Sequence, residues 1–148
     1  MKEFEAESPL PAAALGHFVM KVRKVEVSYP FYAGLGLREA GTFPGMAIIE
    51  LRGGTHLLLF QKGEEQSDAL LDGRNGQRPE FLSERIDLMI AGHAKEDLER
   101  YRADLVGKGY SPAEIADETL YGHHYFSMQD PDGNGITFYT SHCGDKPV

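Results

Sequence analysis

Residues 122–142 read GHHYFSMQDPDGNGITFYTSH. At their centre, Asp130-Pro131-Asp132-Gly133-Asn134 is turn chemistry, because proline presets one backbone angle and glycine admits a reversed one. The flanking stretches, 121–128 and 135–141, are rich in aromatic and β-branched residues and alternate, so both are expected to be strands. The stretch before them, 110–116, reads as a third strand. Upstream again, 94–108 has Leu98, Tyr101, Leu105 and Val106 at helical spacing, with Gly109 placed to cap the C-terminus. A strand over 85–90 precedes it. The second half of the chain is therefore read as β-α-β-β-β.

The same order occurs in the first half. Residues 17–22 alternate as a strand, and 25–35 form a helical candidate with Val25, Tyr29 and Tyr32 near helical spacing. Pro30 fits only a first turn, so this helix should be short or start late. Strands follow over 37–42, 46–51 and 55–61, punctuated by Pro44-Gly45 and Gly53-Gly54. Residues 63–82 are polar and aperiodic, a linker or loop, and Pro9 and Pro11 leave 1–14 as a flexible acidic arm. The expected architecture is α+β: two βαβββ modules forming a curved, mostly antiparallel sheet around a cavity. One domain would span 15–142, with module one over about 15–62, module two over about 83–142, and a tail at 143–148.

The composition is globular: 148 residues, 41% hydrophobic and 26% charged. No run reaches the ~18 apolar residues of a membrane span. Glutamates stand where a secretory signal would be basic, so the expected location is cytoplasmic. The single cysteine, Cys143, excludes an internal disulfide and a cysteine-rich zinc module. Fifteen Lys and Arg against 23 Asp and Glu give a net charge of −8. Dispersed acidity argues against nucleic acid and anionic membrane as partners. It suits a cationic ligand, or solubility alone.

Two segments carry a family resemblance. LGHFVMKVRKVEVSYPFYAGLGLRE (15–39) and GHHYFSMQDPDGNGITFYTSH resemble the opening strand-helix and closing hairpin of the vicinal-oxygen-chelate superfamily. That superfamily includes glyoxalase I, bleomycin-resistance proteins, fosfomycin-resistance thiol transferases and extradiol dioxygenases. Its enzymes commonly hold one divalent metal with four side chains, one from each of four strands, and the metal acts as a Lewis acid. Carried over strand by strand, the four positions fall on His17, Leu58, Arg85 and Thr137. Leucine cannot bind a metal, threonine binds poorly, and arginine repels a cation. The resemblance therefore implies that the usual metal site is dismantled.

Alternation lets the residues sharing a face with His17 be read off. They are Val19 and Lys21; His56, Leu58 and Phe60; Arg85, Asp87 and Met89; His123, Tyr125 and Ser127; Thr137 and Tyr139. The opposite parity, including Met20, Val22, Ile86, Phe126, Ile136 and Phe138, reads as core. His17, His56, Phe60, Arg85, Asp87, His123, Tyr125, Thr137 and Tyr139 are the candidate ligand-binding residues, suited to an organic molecule. Each has a structural alternative: Arg85 as the ion-pair partner of Asp87 or Glu84, His56 as surface beside a glycine turn, the tyrosines as packing. His123 and His124 must face opposite ways. No metal or other cofactor is expected; a rearranged divalent-metal site would draw on His17 with His56 or His123.

The expected function is a glyoxalase/bleomycin-resistance-like protein that binds a small molecule in a metal-free cavity, for resistance or sequestration. The alternative is a metal-dependent lyase or dioxygenase with rearranged ligands, or a metal-free catalyst using His17 or His123 as base. The resemblance also implies a homodimer.

Overall fold

A computed structural model describes residues 15–65, 85–118 and 123–140. The expected arm over 1–14, the linker beyond residue 65 and the tail over 143–148 lie outside them. The described chain runs β1 (His17–Val22), α1 (Val25–Gly34), β2 (Arg38–Phe43), β3 (Met46–Glu50), β4 (His56–Gln61), β5 (Arg85–Met89), α2 (Lys95–Gly107), β6 (Ala116–Glu118), β7 (His123–Gln129), β8 (Gly135–Tyr139). This is the doubled β-α-β-β-β order expected from the sequence. None of its helices is long and apolar enough to cross a membrane.

The strands form two four-stranded mixed sheets, β1-β4-β3-β2 and β5-β8-β7-β6. The pairs β2–β3, β3–β4, β6–β7 and β7–β8 are antiparallel, whereas β1–β4 and β5–β8 pair parallel across longer connections. The two parallel registers are equivalent. Val19 lies opposite Leu58, two residues beyond His17, and Asp87 lies opposite Thr137, two residues beyond Arg85.

Alternation chooses the buried face as expected. Met20 and Val22 of β1 and Phe126, Ile136 and Phe138 of the second sheet join Leu98 and Leu105 of α2 in one core shared by both modules. Phe18 has the inward parity but sits at the open start of β1 and is exposed.

Cross-module bonds fix how the halves dock. Tyr32 Oη donates to Asp130 Oδ2 (2.7 Å), Tyr110 Oη to the Phe31 carbonyl (2.6 Å), and Tyr101 Oη to the Leu35 carbonyl. Arg23 Nε reaches Asp132 Oδ1 at 2.8 Å. Gly34 is required where Tyr110 crosses α1, because a Cβ there would stand 2.1 Å from the Tyr110 hydroxyl.

Three local expectations need correction. Helix α1 begins at Val25 and carries Pro30 in its interior. The proline removes only the bond to the Glu26 carbonyl, and both residues are exposed, so water can take that oxygen. The strand expected over 110–116 is only Ala116–Glu118. Pro112 lacks an N–H, and Arg102 binds the carbonyls of Pro112 (3.1 Å) and Ala113 (2.8 Å), two acceptors that a ladder would use. Val106 is exposed, not part of the buried helical stripe. The cap expected at Gly109 is present with φ +91°, and Tyr110 N–H closes on the Leu105 carbonyl at 3.0 Å.

Candidate functional site

The outward face of the first sheet carries a polar row crossing all four strands. Register sets Arg38 opposite Glu50, Glu50 opposite His56, and His56 opposite His17. Arg38 Nη2 lies 2.6 Å from Glu50 Oε1, and His56 Nε2 lies 3.1 Å from Glu50 Oε2. The His17 and His56 rings stack with centroids 5.8 Å apart and planes 15° apart. A neutral His56 donates Nε2–H to this carboxylate, which leaves its Nδ1 lone pair as acceptor. Beside the row, Leu58 and Phe60 pack with Met46 and Ile48 into a second, smaller apolar cluster.

Glu50 and Arg38 were absent from the residues singled out in the sequence. A signal for Glu50 exists. The β3–β4 turn closes through Leu51 N–H on the Thr55 carbonyl at 2.8 Å. Counting outward from Gly53 pairs Glu50 with His56. Arg38 was harder to place, because β2 shifts register between Glu39 and Gly41.

The same face of the second sheet holds the other candidates. Arg85 grips Asp87 through Nε–Oδ1 (2.6 Å) and Nη2–Oδ2 (2.9 Å). The Asp87 carboxylate raises the Arg85 pKa, chiefly through this bond. Arg85 is therefore the ion-pair partner of Asp87, one of its two readings from sequence. Asp87 lies opposite Thr137, Thr137 opposite Ser127, and Tyr139 opposite both Met89 and Tyr125. The His123 and Tyr139 rings stand 5.1 Å apart. His124 points the other way, with Nδ1 2.5 Å from Asp117 Oδ1, and this bond lowers the Asp117 pKa.

The candidates thus fall into two groups. His17, His56 and Phe60 lie on the first sheet; Arg85, Asp87, His123, Tyr125, Thr137 and Tyr139 lie on the second. Asp87 approaches the first sheet, sharing a cleft with Arg38 and Glu50. The four positions carried over for a metal occupy equivalent places in the two registers, yet they present an imidazole, a hydrocarbon, a guanidinium tied to Asp87, and a hydroxyl. That donor set does not fit a divalent metal. Nor does the first-sheet row supply a ready substitute, since Glu50 is already held by Arg38. Among the described residues, no three His, Cys, Asp or Glu side chains are grouped to hold a metal ion.

Comparison with known proteins follows the geometry. Residues 14–138 match the family model of the Glyoxalase/Bleomycin resistance protein/Dioxygenase superfamily. A lactoylglutathione lyase from Agrobacterium tumefaciens is similar in structure, with TM-score 0.67 and 16% identity over 90% of this chain and 97% of that one. A glyoxalase/bleomycin resistance protein/dioxygenase from Nocardioides gives TM-score 0.66 and 17% identity over 94% and 90% of the two chains. An integron cassette protein from the mobile metagenome of V. cholerae gives 0.65 and 20% over 88% and 97%. At these identities the likeness is one of fold. No curated protein matches the chain.

Proposed function

The chain belongs to the glyoxalase/bleomycin resistance protein/dioxygenase superfamily, and we propose that it binds a small organic molecule on the outward sheet faces without a resident metal, sequestering it unchanged. One observation carries this reading: His17, Leu58, Arg85 and Thr137 fill register-equivalent positions with a single metal-binding side chain among them. Each face supplies part of what a metal-free site needs, an apolar patch at Leu58 and Phe60 on the first sheet and rings at Tyr125 and Tyr139 on the second. Asp87 neutralises Arg85, so the net charge of −8 favours cationic or neutral ligands on this face.

A homodimer is part of this reading. Phe43 and Val19 remain 57% and 41% exposed on the first sheet, beside the Leu58–Phe60 cluster, and a second copy would cover them. Light scattering after size exclusion tests it, with a monomer at micromolar concentration as the contrary result.

The decisive experiment is elemental analysis of untagged protein after dialysis, followed by thermal-shift screening of small molecules with and without added Zn²⁺, Ni²⁺, Mn²⁺ or Fe²⁺. Metal-free protein stabilised by an organic compound alone supports the reading. One divalent ion per chain, lost in His17→Ala, overturns it.

A catalytic reading is favoured by one contact, Glu50 on His56 at 3.1 Å. A carboxylate holding one imidazole nitrogen orients the other as a general base. Chemical change of a bound ligand that disappears in His56→Gln would establish that reading instead.

A further inference from the structure

At the edge of those faces, where Arg38 and Glu50 approach Asp87, the modules leave a cleft of about 580 Å³ between the open end of the β2–β3 pair and β5. That volume lies within the range of small-molecule sites. Its apolar lining includes Leu37, Leu51 and Leu88, with Tyr101 and Phe138 as an aromatic floor, their ring centroids 5.0 Å apart. The Tyr101 hydroxyl is spent on the Leu35 carbonyl, and burial with nearby Asp104 pushes its pKa up to about 12, so this ring stays neutral.

Among the described residues, four charged side chains line the cleft, and three are already compensated. Arg38 is bound to Glu50 at 2.6 Å, and Asp87 is bound to Arg85. Arg52 remains. Its guanidinium makes one bond, Nη2 to the Met89 carbonyl at 3.3 Å, and among the described residues it meets no carboxylate. The rest of its donor fork is open for a two-point acceptor.

We infer that this cleft binds an amphipathic monocarboxylate, its carboxylate on Arg52 and its aryl or alkyl body against Tyr101 and the lining leucines. The pairing follows from the lining: one uncompensated planar cation beside an apolar, aromatic surface. Arg52 comes from module one and its carbonyl anchor from module two, so a bound acid would also bridge the halves. The inference is separable from the outward-face reading: Asp87 lines the cleft but is held by Arg85, and none of His17, His56, Tyr125 or Tyr139 takes part.

The test is calorimetric titration of the full chain with 3-phenylpropionate and with its neutral amide, 3-phenylpropanamide. Arg52→Gln is expected to weaken the acid by about tenfold or more while leaving the amide unchanged. Arg52→Lys should recover part of the loss. Ala91→Trp, at an exposed position on the cleft, should block both compounds. His17→Ala should leave both unaffected. Matching ¹H–¹⁵N spectra in the ligand-free variants would show that each is folded. Equal binding of the acid to wild type and Arg52→Gln overturns the inference, as does the absence of saturable binding to wild type. Loss of binding in His17→Ala would move the site to the outward face and overturn it too.

Discussion

Removing the hydroxyl of Tyr32 isolates the bond that ties the first helix to the last turn. The Asp130 carboxylate is only 6% exposed and accepts four hydrogen bonds. Asp132 N–H (2.9 Å) and Asn134 N–H (2.7 Å) reach Oδ1; Asn134 Nδ2 (2.9 Å) and Tyr32 Oη (2.7 Å) reach Oδ2. Three donors come from the turn itself, and only Tyr32 comes from the other module. Tyr32→Phe keeps the buried ring and its edge contact with Phe31, so the lost bond dominates. A bond to a charged acceptor contributes about 1.5–3 kcal/mol. Oδ2 keeps Asn134, so it is not orphaned, and the lower half of that range applies, about 1.5–2 kcal/mol. At this chain length the melting temperature should fall by about 3–8 °C. Far-UV circular dichroism melts and urea unfolding measure it, with an unchanged m value showing that the transition itself is the same. Arg23→Gln provides the contrast. It removes another side-chain link between this turn and module one, but the Arg23 side chain is 76% exposed, so the cost should stay near 0–1 kcal/mol. A Tyr32→Phe variant within about 0.5 kcal/mol of wild type, or an Arg23→Gln variant that costs more, would refute the reasoning.

Further outcomes follow from the same geometry. Gly34→Ala should lose roughly 1–3 kcal/mol by driving a methyl group into the Tyr110 hydroxyl, and a double-mutant cycle with Tyr110→Phe should recover part of that loss; additive costs would contradict it. Arg85→Ala should cost less than about 1 kcal/mol in urea unfolding, because both partners of the pair are substantially exposed; a much larger loss would make the pair structural. Tyr101 is raised from 10.0 to about 12 and Tyr32 also stays protonated, mainly through burial. The folded chain therefore holds these phenol protons at a pH where the unfolded chain releases them. Stability should be full below about pH 10 and fall as pH rises from there through 12. Tyrosinate absorbance should show both groups ionising only with unfolding, and ionisation of all tyrosines before the unfolding transition would count against it.

The doubled strand-helix order and the parity of most strands were legible because alternation and turn glycines are local signals. That logic places Arg85 and Asp87 on one face, and His123 and His124 on opposite faces. The docking tyrosines were not legible. Tyr101, Tyr110 and Tyr32 reach partners 66, 79 and 98 residues away in sequence. No local pattern encodes such contacts, and each side chain reads equally well as ordinary packing. The 110–115 segment failed for a related reason. Its strand propensity loses to Pro112 and to Arg102, which comes from the preceding helix.

The most recognisable motif in the chain turns out to be a docking element. In Asp130-Pro131-Asp132-Gly133-Asn134, the first aspartate folds the turn onto itself and receives Tyr32, while the second receives Arg23 and Ser28. All three partners lie on or beside α1, in the other module. The motif therefore reports how the two modules of this chain join. The positions that the resemblance carries over for a metal lie outside that contact. His17 and Arg85 begin exposed strand ends, and Thr137 is only half buried, so their identities can change without disturbing the shared core. The chain can thus keep its module-joining turn while presenting an arginine and a threonine at two of those positions. For this reason the ligand is better sought from what the faces and the cleft offer, the Glu50–His56 row and an Arg52 that meets no carboxylate among the described residues, than from the family's usual chemistry.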